Sequence, residues 1–238
     1  MGFLNKDWDS DDDESPNSGV NLNTKLAEGV GKLHIPEGYV KNIAAKYFKP
    51  DGPKNLTGCL NSILGKKEPA EIINDGQFDA FKNSHIEKLI DKGLNKLSIS
   101  KEDLIKQPDV IYGPDWREIP DGISFENLEI VKKGNDGKFR YAFFNFAFLF
   151  YTEKQLLLFS ARFNIALEEI TKSSTDEYFY KDVIGVSADE DSFTLKTSGG
   201  SALEIEFQKP AYRRYKIDAS DAEETVKSLR MILRDVKS

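Results

Sequence analysis

The chain has 238 residues, of which 39% are apolar and 31% charged, and its mean hydropathy is -0.49. At roughly 150 residues per domain this length corresponds to about one and a half domains, enough to bury a core. With 17 Gly, 9 Pro and a single Cys, the composition excludes a collagen-like, a disulfide-stapled and a wholly disordered protein.

The net charge of -7 is unevenly spread: residues 1–24 carry Asp7, Asp9, Asp11, Asp12, Asp13 and Glu14 against Lys6. The remaining 214 residues hold only -2 of that charge. A nearly neutral remainder is poorly suited to neutralising phosphates, so no nucleic-acid partner is expected. Residues 1–24 read as a disordered acidic tail, because Asp, Asn and Ser leave little to bury. Phe3, Leu4 and Trp8 precede the acid run and are the candidates for a short partner-binding motif in that tail.

No export or transmembrane segment is expected. The start turns acidic before any apolar stretch of signal length, and Lys6 stands where a myristoylation pattern after Gly2 requires Ser or Thr. The longest uncharged apolar run, Tyr141 to Tyr151, is far shorter than the ~20 residues of a spanning helix. Cys59 is the lone thiol, which fits a cytoplasmic location.

Residues 25–111 carry a punctuated helical pattern and are expected to form a domain of short helices. Val40, Ile43, Ala44, Tyr47 and Phe48 recur at helix spacing, and Lys49-Pro-Asp-Gly-Pro53 stops the run. Asn55 to Leu64 predicts a second short helix. Asp79 to Leu97 predicts the longest, with Phe81, Ile86, Leu89, Ile90 and Leu94 on one face. Ser100 heads a last short helix through Ile105, stopped by Gln107-Pro108. Residues 112–122, with two prolines and two glycines, are expected to be the linker.

From residue 123 the period changes. Seven strands are expected: Ile123 to Lys133, Lys138 to Tyr151, Gln155 to Phe163, Glu177 to Ser187, Ser192 to Thr197, Ala202 to Phe207, and Tyr212 to Ile217. Gly134-Asn-Asp-Gly137 is a strong turn signal between the first two. The second strand is apolar on both faces, so it must be covered from both sides or offer an aromatic surface to a partner. The stretch between Phe163 and Glu177 is polar and is assigned no strand. A final helix follows, with Ala222, Val226, Leu229, Leu233 and Val236 on one face and Glu223, Glu224, Lys227, Arg230 and Arg234 on the other. Its place is across the open end of a bent sheet.

Tyr178-Phe-Tyr-Lys-Asp-Val-Ile-Gly-Val-Ser187, the hairpin Phe193 to Phe207, and the helix opening Ser220-Asp-Ala-Glu-Glu224 together resemble bacterial pleckstrin-homology-like (PH-like) domains. The resemblance covers residues 123–238, about half the chain; the residues before 110 resemble no family. It implies a seven-stranded antiparallel PH-like barrel capped by a C-terminal helix; with the short-helix N-terminal domain read from the periodicity before it, the expected class is α+β. It also implies a binding module, since such domains mostly hold proteins, peptides or lipid head groups. A cytoplasmic, non-enzymatic adaptor that recognises a protein partner is therefore the expected function, with no cofactor.

The alternative is an anionic ligand, either a phosphate or an anionic lipid head group. Lipid-binding PH domains carry a Lys-x(n)-Lys-x-Arg pattern after their first strand, and Lys132, Lys133, Lys138 and Arg140 match it around the Asn135-Asp-Gly137 turn. Such a tip can grip a phosphate through charge-assisted bonds, although Lys and Arg also simply solvate hairpin tips. Asp176, Glu177 and Asp182 could in principle do acid–base or metal chemistry, but alternation along a strand keeps them from converging, and they read instead as charges protecting an edge strand. His34 and His85 have no second ligand at zinc spacing, and no nucleophile elbow or phosphate loop is present, so no enzyme or metal site is expected.

Overall fold

The computed structural model describes residues 43–48, 73–119, 128 and 130–237. Three α-helices and nine strands lie among them: α1 (Ile43–Phe48), α2 (Asp75–Leu97), β1 (Asp109–Pro114), β2 (Val131–Lys133), β3 (Phe139–Tyr141), β4 (Phe143–Tyr151), β5 (Gln155–Asn164), β6 (Glu169–Phe179), β7 (Val183–Ala188), β8 (Ser192–Thr197), β9 (Gly200–Glu206) and α3 (Glu223–Lys237). The class is α+β. The strands form three antiparallel sheets, β1-β4-β5-β6, β2-β3 and β7-β8-β9, and none of them closes into a barrel. The expected tail, with Phe3, Leu4 and Trp8, and the expected helix from Asn55 to Leu64 lie outside the described residues.

Strand β4 organises the molecule. Its alternate residues Phe144, Phe146, Phe148 and Phe150 face α1 and α2, while Ala147, Leu149 and Tyr151 face the β7-β8-β9 sheet and α3. Strand β5 repeats the division, with Leu157, Phe159, Ala161 and Phe163 on the helix side and Leu156 and Leu158 on the sheet side. Both faces of the aromatic strand are therefore covered from within the chain, as a strand with period-two apolar residues on each face requires.

On the helix side, the Phe144, Phe146 and Phe148 rings stack in a row at 5.1 and 5.8 Å. α2 begins at Asn74, whose side chain accepts from the Gln77 amide while the Gln77 side chain accepts from the Asn74 amide, a reciprocal capping box. It lies close to the sheet because Gly93 has no Cβ: one placed there would stand 2.8 Å from Phe150 Cζ. α1 adds Tyr47, stacked on Phe78 with ring centres 4.5 Å apart.

On the other side, Ala222 just before α3 and Val226, Leu229 and Leu233 of α3 are buried against the β7-β8-β9 sheet, whereas Val236 is exposed. The two larger sheets approach closely where β1 passes the end of β9. A Cβ on Gly113 would meet the Glu206 carbonyl oxygen at 2.5 Å, so only glycine fits there.

Several expected elements are differently bounded. The long strand from Lys138 is bent at Ala142, because its first part leaves the main sheet to pair with β2 and to bridge Ile217 through Phe139. Tyr212 to Ile217 forms a 3-10 turn (Pro210–Tyr212) and that single bridge rather than a strand. Glu177 to Ser187 is interrupted by a second 3-10 turn, Tyr180–Asp182, where the chain passes from one sheet to the other and buries Tyr180. Only Lys101–Asp103 of the expected Ser100 helix is helical, again as a 3-10 turn. Tyr112 to Pro114, assigned to the linker, are the end of β1. The polar stretch after Phe163 is β6, the longest strand of the main sheet.

Candidate functional site

Buried ion pairs hold α2 to the rest of the fold. Lys82 on α2 donates to Asp218 Oδ2 at 2.6 Å and to the Tyr112 hydroxyl at 3.1 Å, with only 4% of Lys82 exposed. Burial opposes its charge, but Tyr112 and Asp218 more than offset this and its pKa is raised. Tyr141, fully enclosed beside them, donates to the Asp218 carbonyl and has its pKa pushed well up, chiefly by burial. Every polar group in this cluster is engaged, so its role is to lock the layers together.

Arg140 forms a second lock. Its guanidinium donates to both carboxylate oxygens of Asp79 on α2 and to Asp136 in the β2–β3 turn, and is itself 4% exposed. These bonds, Asp79 first, raise its pKa, and in return the Asp136 carboxyl is held down at about 2. The four residues singled out for anion binding are thus not equivalent. Arg140 turns inward onto carboxylates, and Lys132 donates to the Tyr47 carbonyl and sits over the Tyr47 ring. Lys133, over the Phe139 ring, and Lys138 stay at the surface.

His85 lies under the turn between β5 and β6, with Nδ1 3.0 Å from the Phe81 carbonyl and Nε2 3.0 Å from Glu168 Oε2. Among the described residues no three His, Cys, Asp or Glu side chains form a group that could hold a metal ion, and no helix is long and apolar enough to cross a membrane.

What the fold leaves available is a strand edge. The two larger sheets have four edges, β1, β6, β7 and β9. At β1, the Ser220 hydroxyl accepts from the Tyr112 amide, and the Ser220 amide donates to the Tyr112 carbonyl. At β9, the Trp116 indole donates to the Glu206 carbonyl; at β7, Arg230 of α3 donates to the Val186 carbonyl. Among the described residues no hydrogen bond reaches the outer edge of β6. Half of its backbone groups face β5 and the other half face outward, as in any edge strand.

A groove of about 250 Å³ runs beside this edge, between the β4-β5-β6 face and β9. Asn145, Ser160, Arg162, Lys172, Ser174 and Asp176 line its floor where the sheet extends beyond the apolar contact with β7-β8-β9. At its end Arg162 pairs with buried Asp115 and with Glu118, which fixes the wall formed by the Trp116–Glu118 turn. Asp176 and Glu177 lie on β6 and Asp182 in the turn after it, so the three carboxylates are spread along the chain. The sequence signal for β6 was its Ser and Thr content with two polar faces, which is how a strand that enters no core over most of its length reads.

No protein-family model matches the chain, and no curated protein matches it.

Proposed function

We propose that the chain is a non-enzymatic binding protein that takes an extended segment of a protein partner along the open edge of β6, and that its C-terminal half is a PH-like module. The observation that carries this reading is the contrast between edges: among the described residues, groups of the chain itself bond to the edge strands β1, β9 and β7, and none bonds to the outer edge of the eleven-residue β6. An extended segment added there would gain main-chain hydrogen bonds, and the groove beside β6 would receive alternate side chains. The strands β4, β5 and β6 and the β7-β8-β9 sheet with α3 packed on it support the PH-like part. The buried ionisable groups support the non-enzymatic part, because they are spent on ion pairs between layers. Capture of an anion by the β2–β3 hairpin is the weaker reading, since Arg140 is enclosed by Asp79 and Asp136.

The test is to select extended peptides from a display library against the full chain and to follow backbone amide shifts on binding. Shifts concentrated in β6 and its neighbour β5 are expected. Selected peptides that leave the β6 amides unmoved would overturn the assignment.

A further inference from the structure

We infer that the strand added to β6 is β6 of a second copy of this chain, paired antiparallel about a two-fold axis at Ser174; this rests on the open-edge reading above. The register between β5 and β6 shifts so that Arg162 faces Lys172 and Phe163 faces Ile170, which leaves Thr171 as a bulge. The regular edge therefore runs from Lys172 to Phe179. It carries three charges, Lys172, Asp176 and Glu177.

Residues directly opposite each other in an antiparallel pair share a face of the sheet. A two-fold axis normal to the sheet keeps each residue on its face, so it must pass through a residue and never between two. Few centres are then available. An axis at Ser174 places Lys172 opposite Asp176 of the second copy, twice, with Ser173 opposite Thr175 and the two Ser174 residues facing each other. An axis at Asp176 sets two carboxylates face to face, and like charges directly opposite destabilise; one at Ser173 sets Lys172 against Ser174 and forms no ion pair within the regular edge. An axis at Thr175 sets Asp176 against Ser174 and forms no ion pair. Among the described residues neither Lys172 nor Asp176 has an ion-pair partner within its own chain. Charges on an edge strand normally repel added strands, and here their order along the strand makes a second β6 the complement.

The resulting sheet would be continuous over eight strands, with β1 at each outer end, where Ser220 already occupies the edge. Association would stop at the dimer, because the contact is isologous and uses the open edge of both copies.

The test is sedimentation equilibrium of the full chain over a concentration series, for the wild type, Lys172→Asp, Asp176→Lys, and the double variant. All changes fall on exposed or edge positions, so the fold is retained. A monomer–dimer equilibrium is expected for the wild type. Each single change should raise the dissociation constant about tenfold or more, since the axis counts it twice. The double variant should return to the wild-type value, and an equimolar mixture of the two single variants should associate more tightly than either does alone. A dimer indifferent to both single changes, or a mixture that fails to associate, would overturn the register. A wild-type chain that stays monomeric while its β6 amides still respond to a selected peptide would overturn self-pairing and leave the open-edge reading standing.

Discussion

Lys82 and Asp218 are 136 positions apart in the chain and meet in the interior with 2.6 Å between ammonium and carboxylate. The pair joins the face of α2 to the segment that leads into α3, across the edge of the main sheet. Removing one partner strands the other charge in a low-dielectric site. Lys82→Ala or Asp218→Ala is expected to cost about 3–5 kcal/mol, read by urea denaturation. Lys82→Met combined with Asp218→Leu should recover a large part of that loss, because no charge is then left unpaired.

Asp136 makes the acid limb of stability predictable. Its carboxyl is held from the usual 3.8 down to about 2, first by the hydrogen bond from Arg140. A folded-state pKa below the unfolded one means that the contribution is complete above about pH 3.8 and is lost as the pH falls through about 2. Asp136→Asn should flatten the pH dependence of unfolding free energy across that window and leave its shape near neutrality unchanged, as measured by denaturant titrations at stepped pH.

Gly93 tests how α2 sits on the sheet. Replacing glycine by alanine inside a helix ordinarily stabilises it by about 0.8–1 kcal/mol. Here the added methyl would stand 2.8 Å from Phe150 Cζ and 2.9 Å from Phe159 Cδ1, both in buried rings. The sign should reverse, with Gly93→Ala costing about 1–3 kcal/mol in thermal or chemical unfolding.

Lys133 and Lys138 separate the two binding readings. With Arg140 committed to Asp79 and Asp136, the hairpin tip lacks the fork that holds a phosphate. Lys133→Glu/Lys138→Glu is expected to leave sedimentation with anionic phospholipid vesicles unchanged. A clear loss of vesicle binding in that variant would restore the anionic ligand as the function of the hairpin.

Much of the architecture was legible because periodicity reports burial. The Lys138 to Tyr151 run required cover on both faces, and Ala222, Val226, Leu229 and Leu233 named the face that α3 buries. The Gly134-Asn-Asp-Gly137 turn was likewise readable, and Gly137 takes the left-handed conformation it calls for, with φ of 79°. Strands β1 and β6 were not legible. β1 follows a proline and ends in Gly-Pro, which are turn signals, yet Gly113 is there because another backbone passes it. β6 is polar on both faces and shows no alternation, since neither face enters a core over most of its length. Of the site, Lys132, Lys133, Lys138 and Arg140 were identified as cations, but their pattern held no sign that Asp79, 61 positions away, would take Arg140 out of reach. A contact between distant segments leaves no trace in local spacing.

Because α2 rests on one side of β4 and the β7-β8-β9 layer on the other, there is no natural place to cut among the described residues. A fragment beginning at residue 112 would shed α2 and present the phenylalanine rings of β4 and β5 to water. Such a piece would be expected to precipitate or to be rescued by detergent, so recombinant work on any surface of this protein should keep the helical segment attached.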